Sequence, residues 1–233
     1  MSTNLQLCAD LRQEATDTGT GPTTVVGQTG ELGRYVKWIK DAWVDIQNHR
    51  PDWLWMRKSF TVPTVASTGE YAYNATGLVD TVSGTAISRW SRWYRYEFKI
   101  YLASTGVSGE TPLIWLPWNV FRRIYRYGTQ NDGPPVHVSV DPTGKFCLGP
   151  KPDAVYTVGG DYQLGPQEMT ADADVPEMPS RFHRLIVYEA LSRYGGHRVV
   201  PEAIMRANAE GGRLWADLEL DQLPDMEDGP PLA

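Results

Sequence analysis

Apolar residues recur at helical spacing near both ends of the chain and at strand spacing between them. Leu5, Cys8, Leu11 and Ala15, with Thr3 or Asn4 placed to cap, predict a first helix over residues 3–16. Asp17 to Pro22 reads as a loop. Leu32, Tyr35, Val36, Ile39, Ala42, Trp43 and Ile46 then form one continuous apolar stripe. That stripe predicts a second helix, capped by Thr29, carrying a Lys37/Asp41 pair on its other side and ended by Pro51.

From Trp53 to Leu164 the period changes to two, which predicts a β-rich block. Trp53, Trp55, Phe60 and Val62 suggest an early strand, and Tyr71, Tyr73 and Ala75 a second. The clearest strand is expected over 93–102, with Tyr94, Tyr96, Phe98, Ile100 and Leu102 on one face and Arg95, Glu97 and Lys99 on the wet one. A short helix is expected over 117–127, opened by Pro117 and closed by Gly128. Val136 to Leu148 reads as a hairpin around Asp141-Pro142-Thr143-Gly144, and residues 155–164 as a further strand. After a Pro- and Asp-rich connector, a helix over 179–194 is apolar nearly all round at Leu185-Ile186-Val187-Tyr188, which predicts burial on several sides, and Gly195-Gly196 is expected to stop it. A last helix from Pro201 carries Ile204, Met205, Leu214, Trp215 and Leu218, with a kink or a close neighbour at Gly211-Gly212. No internal repeat is present.

This layout predicts an α+β fold. Residues 1–50 and 179–222 form a helical bundle from N- and C-terminal helices, residues 51–178 an inserted antiparallel β domain, and residues 223–233 a flexible C-terminal tail. At 233 residues the chain is long enough to build a core without disulfide or metal. Cys8 and Cys147 stand far apart and are expected as reduced core residues, consistent with synthesis in a cytoplasm. No apolar run approaches a membrane span, and no basic-then-hydrophobic leader opens the sequence, so secretion and membrane insertion are not expected.

Recognisable catalytic signatures are missing: no phosphate loop, no H-E-x-x-H helix, no G-x-S-x-G elbow. Gly19-Thr20-Gly21 lacks a third glycine, and His49, His137, His183 and His197 show no metal-ligand spacing. Asp172-Ala173-Asp174 has the form of a carboxylate pair for a divalent ion, but sits in a connector where Asp serves turns and caps. No catalytic residue, metal or cofactor is therefore expected. The charge is uneven: Arg89, Arg92, Arg95, Lys99, Arg122, Arg123 and Arg126 form a basic block, whereas residues 217–228 carry six acids and no base. Trp90, Trp93, Trp115 and Trp118 interleave with the basic block, a pattern shared by half-buried strands and by protein interfaces. The net charge of −6 argues against tight, sequence-independent nucleic-acid binding.

Four ordered segments resemble the head-to-tail adaptor (connector) proteins of tailed bacteriophages, of the larger class with a β-rich insertion in a helical bundle. They are residues 25–31 leading into Ala42 to Gln47 and Asp52 to Trp55; residues 148–153 with Tyr156 to Val158; residues 174–179; and Phe182-His183 with Val187 to Leu191. Order and spacing match over about residues 5–220, with 64–92 poorly matched. The resemblance implies a structural virion protein of the neck between capsid and tail: a ring, usually of twelve copies, docked beneath the portal and continuing the DNA channel to the tail or nozzle proteins. DNA then passes through the lumen without specific binding. On this reading Trp90, Trp93, Arg95, Trp118, Arg122 and Arg123 are expected at a subunit or tail interface. Leu220, Leu223, Met226 and Leu232 are the expected portal-binding anchors of the tail. Rival readings are a carbohydrate-binding β module, for which a Trp-rich sheet is a resource, and an enzyme built on Asp172 and Asp174.

Overall fold

The structure is a computed structural model and describes residues 1–15 and 21–223. The chain opens with helices α1 (Asn4–Glu14) and α2 (Gly30–His49). Strands β1 (Arg57–Pro63), β2 (Glu70–Tyr71), β3 (Val79–Asp80), β4 (Arg92–Trp93), β5 (Lys99–Leu102), β6 (Thr111–Pro112) and β7 (Ile114–Trp115) follow. Helix α3 (Trp118–Tyr125) leads into β8 (His137–Val140), β9 (Phe146–Gly149) and β10 (Tyr156–Gln163), and the chain closes with α4 (His183–Arg198) and α5 (Pro201–Gln222). The fold is α+β, in two compact units: residues 1–56 with 166–233, and residues 57–165.

In the first unit, α1, α2 and α5 all pack on α4, which explains why α4 is apolar around its centre. Leu185, Ile186, Val187, Ala190 and Leu191 are buried by helices of the same chain. The α2 stripe meets them with Tyr35, Ile39, Trp43 and Ile46, each fully buried. Thr3 caps α1 through a capping box with Gln6, and Lys37 pairs with Asp41 at 3.1 Å. Residues 166–178 run along this unit as a strap. The Gln47 side chain holds the Gln167 backbone, accepting from its N–H at 2.7 Å and donating to its carbonyl at 3.0 Å, and the Gln167 side-chain oxygen accepts from the Trp43 indole at 3.1 Å.

Two expectations fail in this unit. Trp53 and Trp55 lie in no strand: Leu54–Met56 is a 3-10 turn, the two indoles stack at 4.5 Å, and Trp53 donates to the Ile46 carbonyl at 3.0 Å. Gly195-Gly196 does not stop α4, which runs on to Arg198 and ends at Val199 in the left-handed conformation (φ 57, ψ 49). Gly195 is instead a point of close approach. A Cβ there would sit 2.6 Å from Ile204 Cγ1 and 3.2 Å from the Val200 carbonyl, so the α4–α5 corner closes tightly only over glycine.

In the second unit, one sheet has the order β3-β1-β10-β5-β6, with β4 also on β10, all antiparallel. A second sheet has the order β2-β9-β8-β7 and is mixed, because β7 and β8 run parallel. The purely antiparallel expectation is corrected there: α3 carries the chain back between β7 and β8, and a crossover of that kind returns strands in the same direction. Phe60, Trp93, Phe98, Phe146 and Tyr162 make an aromatic core, with Phe60 and Trp93 centroids 4.7 Å apart.

The expected strand over 93–102 is broken. Trp93 pairs with Tyr162 and Lys99 with Gly159, so three steps along β10 face six on the other side, and the surplus bulges out as a turn. Tyr96 is consequently 80% exposed while Phe98, two residues on, is 1% exposed. Tyr71, Tyr73 and Ala75 likewise contribute only the two-residue strand Glu70–Tyr71, which continues into turns rather than along the sheet.

Candidate functional site

The basic block divides by what its residues touch. Trp93 is 5% exposed, lies in the aromatic core and donates to the Gly144 carbonyl at 2.8 Å. Trp90 is half-buried, stacks on Tyr73 at 5.4 Å with planes 3° apart, and leans on Gly144. Both indoles are packing residues of this unit. Arg95, by contrast, is exposed with its guanidinium 5.4 Å from the Trp115 ring.

Trp118, Arg122 and Arg123 come together on α3, the most strongly two-faced helix of the chain. Its inner face is anchored on β8 by fully buried Phe121 and by a Tyr125 hydroxyl to His137 Nδ1 bond of 2.7 Å. Gly149 is required beneath it, since a Cβ there would lie 2.5 Å from the Tyr125 ring. Arg126 is drawn inward to Glu70 at 2.7 Å and lies 5.9 Å from the half-buried Trp118 ring. Arg122 and Arg123 point outward. Arg122 donates to the Tyr127 hydroxyl at 3.2 Å and lies 5.7 Å from the centre of that ring. Among the described residues Arg95, Arg122 and Arg123 have no carboxylate partner, whereas Arg57 is bound to Asp161 and Glu97. Exposed Ile114, Ile124, Tyr127 and Val136 border the same region and are not marked by the sequence, because single apolar residues off a helix stripe carry no periodic signal.

On the first unit, Leu220 is 87% exposed and Leu223 half-buried at the end of α5; Met226 and Leu232 lie outside the described residues. Asp172 and Asp174 act as turn residues. Asp172 accepts from Val25 N and the Thr24 hydroxyl at 2.6 and 3.0 Å, and Asp174 from Thr170 N and Ala171 N at 2.6 and 2.7 Å. The backbone N–H donors of Ala171 and Thr170 hold the Asp174 carboxyl below its usual range. The backbone carbonyls of Asp172 and Asp174 receive Leu5 N and Asn4 N, satisfying free donors of the first turn of α1. Among the described residues no group of three or more His, Cys, Asp or Glu is placed to hold a metal ion, and no helix is long and apolar enough to cross a membrane. Cys8 and Cys147 are free and buried, and burial pushes their thiols up to about 12 and about 11.

The family profile described as SU10 adaptor protein matches residues 3–228, spanning both units. No match is found among curated proteins. A match over nearly the whole chain places the protein in the SU10 adaptor protein family, a family of phage head-to-tail adaptors. It is accordingly a structural adaptor of a phage and a virion component.

Proposed function

We propose that the protein forms a ring, of about twelve copies by the resemblance to connector proteins, that joins the portal to the tail and continues the DNA channel between them. The observation that carries this reading is the family match over residues 3–228, which takes in the helical unit and the β unit together. The α3 surface with Arg95, Arg122 and Arg123 supports it as the face turned to a neighbouring subunit or a tail protein, since exposed guanidinium groups without a carboxylate suit an acidic partner. The segment from Leu220 through Leu223, Met226 and Leu232 is the portal-side anchor, its spaced apolar residues suiting a groove or sheet edge.

DNA passes without being gripped. A charge of −6 on each subunit sums around a ring to an acidic body, which disfavours adhesion of a moving duplex. The glycan-binding alternative gains no specific support, as Trp90 and Trp93 are engaged in packing. Electron microscopy of the purified chain mixed with portal rings tests the proposal: a ring of this chain beneath the portal is expected, and a single copy would end it. Deleting residues 223–233 is expected to leave the fold intact and to weaken portal attachment; unchanged attachment removes the anchor role.

A further inference from the structure

The surplus residues between β4 and β5 form a β-turn, Tyr94–Glu97, with Arg95 and Tyr96 at its tip. Tyr94 N donates to the Asp161 carbonyl at 2.9 Å, and Glu97 N to the Tyr94 carbonyl at 3.4 Å. The root of this turn is clamped. The Arg57 guanidinium lies 4.5 Å from the Tyr94 ring and pairs with Glu97 at 3.1 Å, so one side chain holds both ends of the turn. Asp161 fixes that guanidinium at 2.7 Å, and the Tyr94 hydroxyl donates to Gln163 Oε1 at 2.6 Å.

The tip, by contrast, gains nothing from the fold. Tyr96 is 80% exposed, and neither its hydroxyl nor the Arg95 guanidinium has a hydrogen bond or an ion pair among the described residues. Turn chemistry does not call for these two residues either, since Gly, Pro, Asn, Asp and Ser serve the centre of a turn. A single exposed aromatic is common on a protein surface. An aromatic and an unpaired guanidinium held out together on a rigid root have the composition of a binding hot spot, and rigidity reduces the entropy lost on docking.

We infer that the Arg95–Tyr96 tip is a docking finger whose ring enters an apolar slot rimmed by carboxylates on a different protein, a tail protein on the reading above. The inference rests on that reading for the partner and adds the residue that anchors the contact. Local charge sets the rim. Glu97 is taken by Arg57, and Lys99 by Glu110 at 3.1 Å, which leaves Arg95 as the unpaired charge of the tip. A second copy of this chain is a poor host. The cavity of about 310 Å³ beside α1 and α4 has room for a phenol ring, but Arg184 lines it next to Asp10 and Glu14, and Arg206 also reaches Glu14 at 2.8 Å, so cations meet Arg95 there. The groove of about 240 Å³ over Phe98 and Pro112 is lined by Tyr96 itself, and a copy seated in it brings its Arg95 against the resident one. The cavity at Tyr125, Arg126 and Lys151 holds about 10 Å³, too little for a ring, and is basic.

The test uses assembled virions that carry the full chain with Tyr96→p-benzoylphenylalanine. On illumination, a cross-link to a tail protein at a peptide bearing Asp or Glu is expected. A cross-link to a second copy, to the portal or to DNA, or no cross-link, would overturn the inference. In a parallel arm, Tyr96→Ala is expected to leave thermal melting and the ring on the portal unchanged and to lower tail attachment about tenfold. Tyr96→Phe should retain attachment, because the ring still fills the slot, and Arg95→Glu should lose it. Full attachment by the Tyr96→Ala chain, with rings in place, would overturn the finger and leave the ring reading standing. Absence of rings from the unaltered chain would defeat the ring reading, and the cross-link would still decide the finger.

Discussion

The helical unit and the β unit treat their arginines in opposite ways. In the helical unit Arg50, Arg181, Arg184, Arg193, Arg198 and Arg206 each reach a carboxylate on another element, tying α1, α2, α4 and α5 together at the surface. In the β unit Arg57 and Arg126 are paired, but Arg95, Arg122 and Arg123 have no carboxylate among the described residues. The cores differ too: mainly aliphatic around α4, aromatic around Phe60. One unit spends most of its surface arginines on carboxylates of its own helices, with Arg34 on His197; the other leaves three without a carboxylate among the described residues. Formal charge and sequence position do not separate these cases. Only the identity of the facing side chain does.

The largest effect expected from this contrast lies in the cores. Phe60→Ala removes a ring that contacts Trp93, Phe98, Phe146 and Tyr162, and about 3–5 kcal/mol of stability should go with it. Leu185→Ala in the helical unit should cost about 2–5 kcal/mol. Urea unfolding followed by tryptophan fluorescence checks both, and a loss below about 1 kcal/mol at either site would mean that its core is loosely packed.

Next comes the α4–α5 corner. Gly195→Ala drives a methyl into Ile204 and should destabilise by about 1–3 kcal/mol. Gly196→Ala meets nothing within 4 Å and should stabilise by about 0.5–1 kcal/mol by favouring the helix. Opposite signs at adjacent glycines in thermal melts are the expected result. Equal signs would remove the close-approach account.

A pH titration separates the units further. His183 accepts from Ser2 N at 3.2 Å and reaches the Met178 carbonyl at 3.1 Å, and burial lowers its pKa below the ordinary value. The folded state thus binds this proton less readily than the unfolded chain. Stability of the helical unit is full above about pH 6.5 and falls as pH drops below it, because the unfolded state then takes up the proton first. His183→Gln should flatten that part of the pH profile, measured by denaturant midpoint from about pH 7.5 to 5; an unchanged profile would assign the slope to other groups.

The smallest effects concern the arginines themselves. Breaking the exposed Arg193–Asp45 pair with Arg193→Ala should cost about 0.2–1 kcal/mol, whereas Arg123→Ala should change stability by less than about 0.5 kcal/mol. A loss at Arg123 as large as at Arg193 would show that Arg123 has an internal role and would weaken its assignment to a partner.

Long periodic elements are legible in the residue pattern alone. The α2 stripe from Leu32 to Ile46, the start of α1 at Thr3 or Asn4, which falls to Thr3, and the Asp141 to Gly144 hairpin appear where local pattern and chemistry place them, because each is set by neighbours in sequence. The alternation from Tyr94 to Leu102 misleads, since period two describes a strand but says nothing of register, and a surplus of three residues against β10 turns Tyr96 outward. Gly195-Gly196 misleads for a related reason. Glycine marks both a helix end and a close approach, and which of the two applies depends on Ile204, on another helix. Helix α4 actually ends on Val199, a β-branched residue at positive φ that no local rule selects.

The candidate surface divides along the same line. By itself the sequence determined the long helices, the hairpin at Asp141 to Gly144, the α+β class, the location of the basic block and the family segments, all of which follow from local pattern and composition. Tertiary structure decided which members of that block face outward. Trp90 and Trp93 are consumed by packing, Arg126 by Glu70, and Arg122 and Arg123 are left over. It also decided that the apolar centre of α4 is buried by α1, α2 and α5 of the same chain. The physical reason is that burial and pairing are properties of the facing surface, and the residues that supply that surface lie far away in sequence.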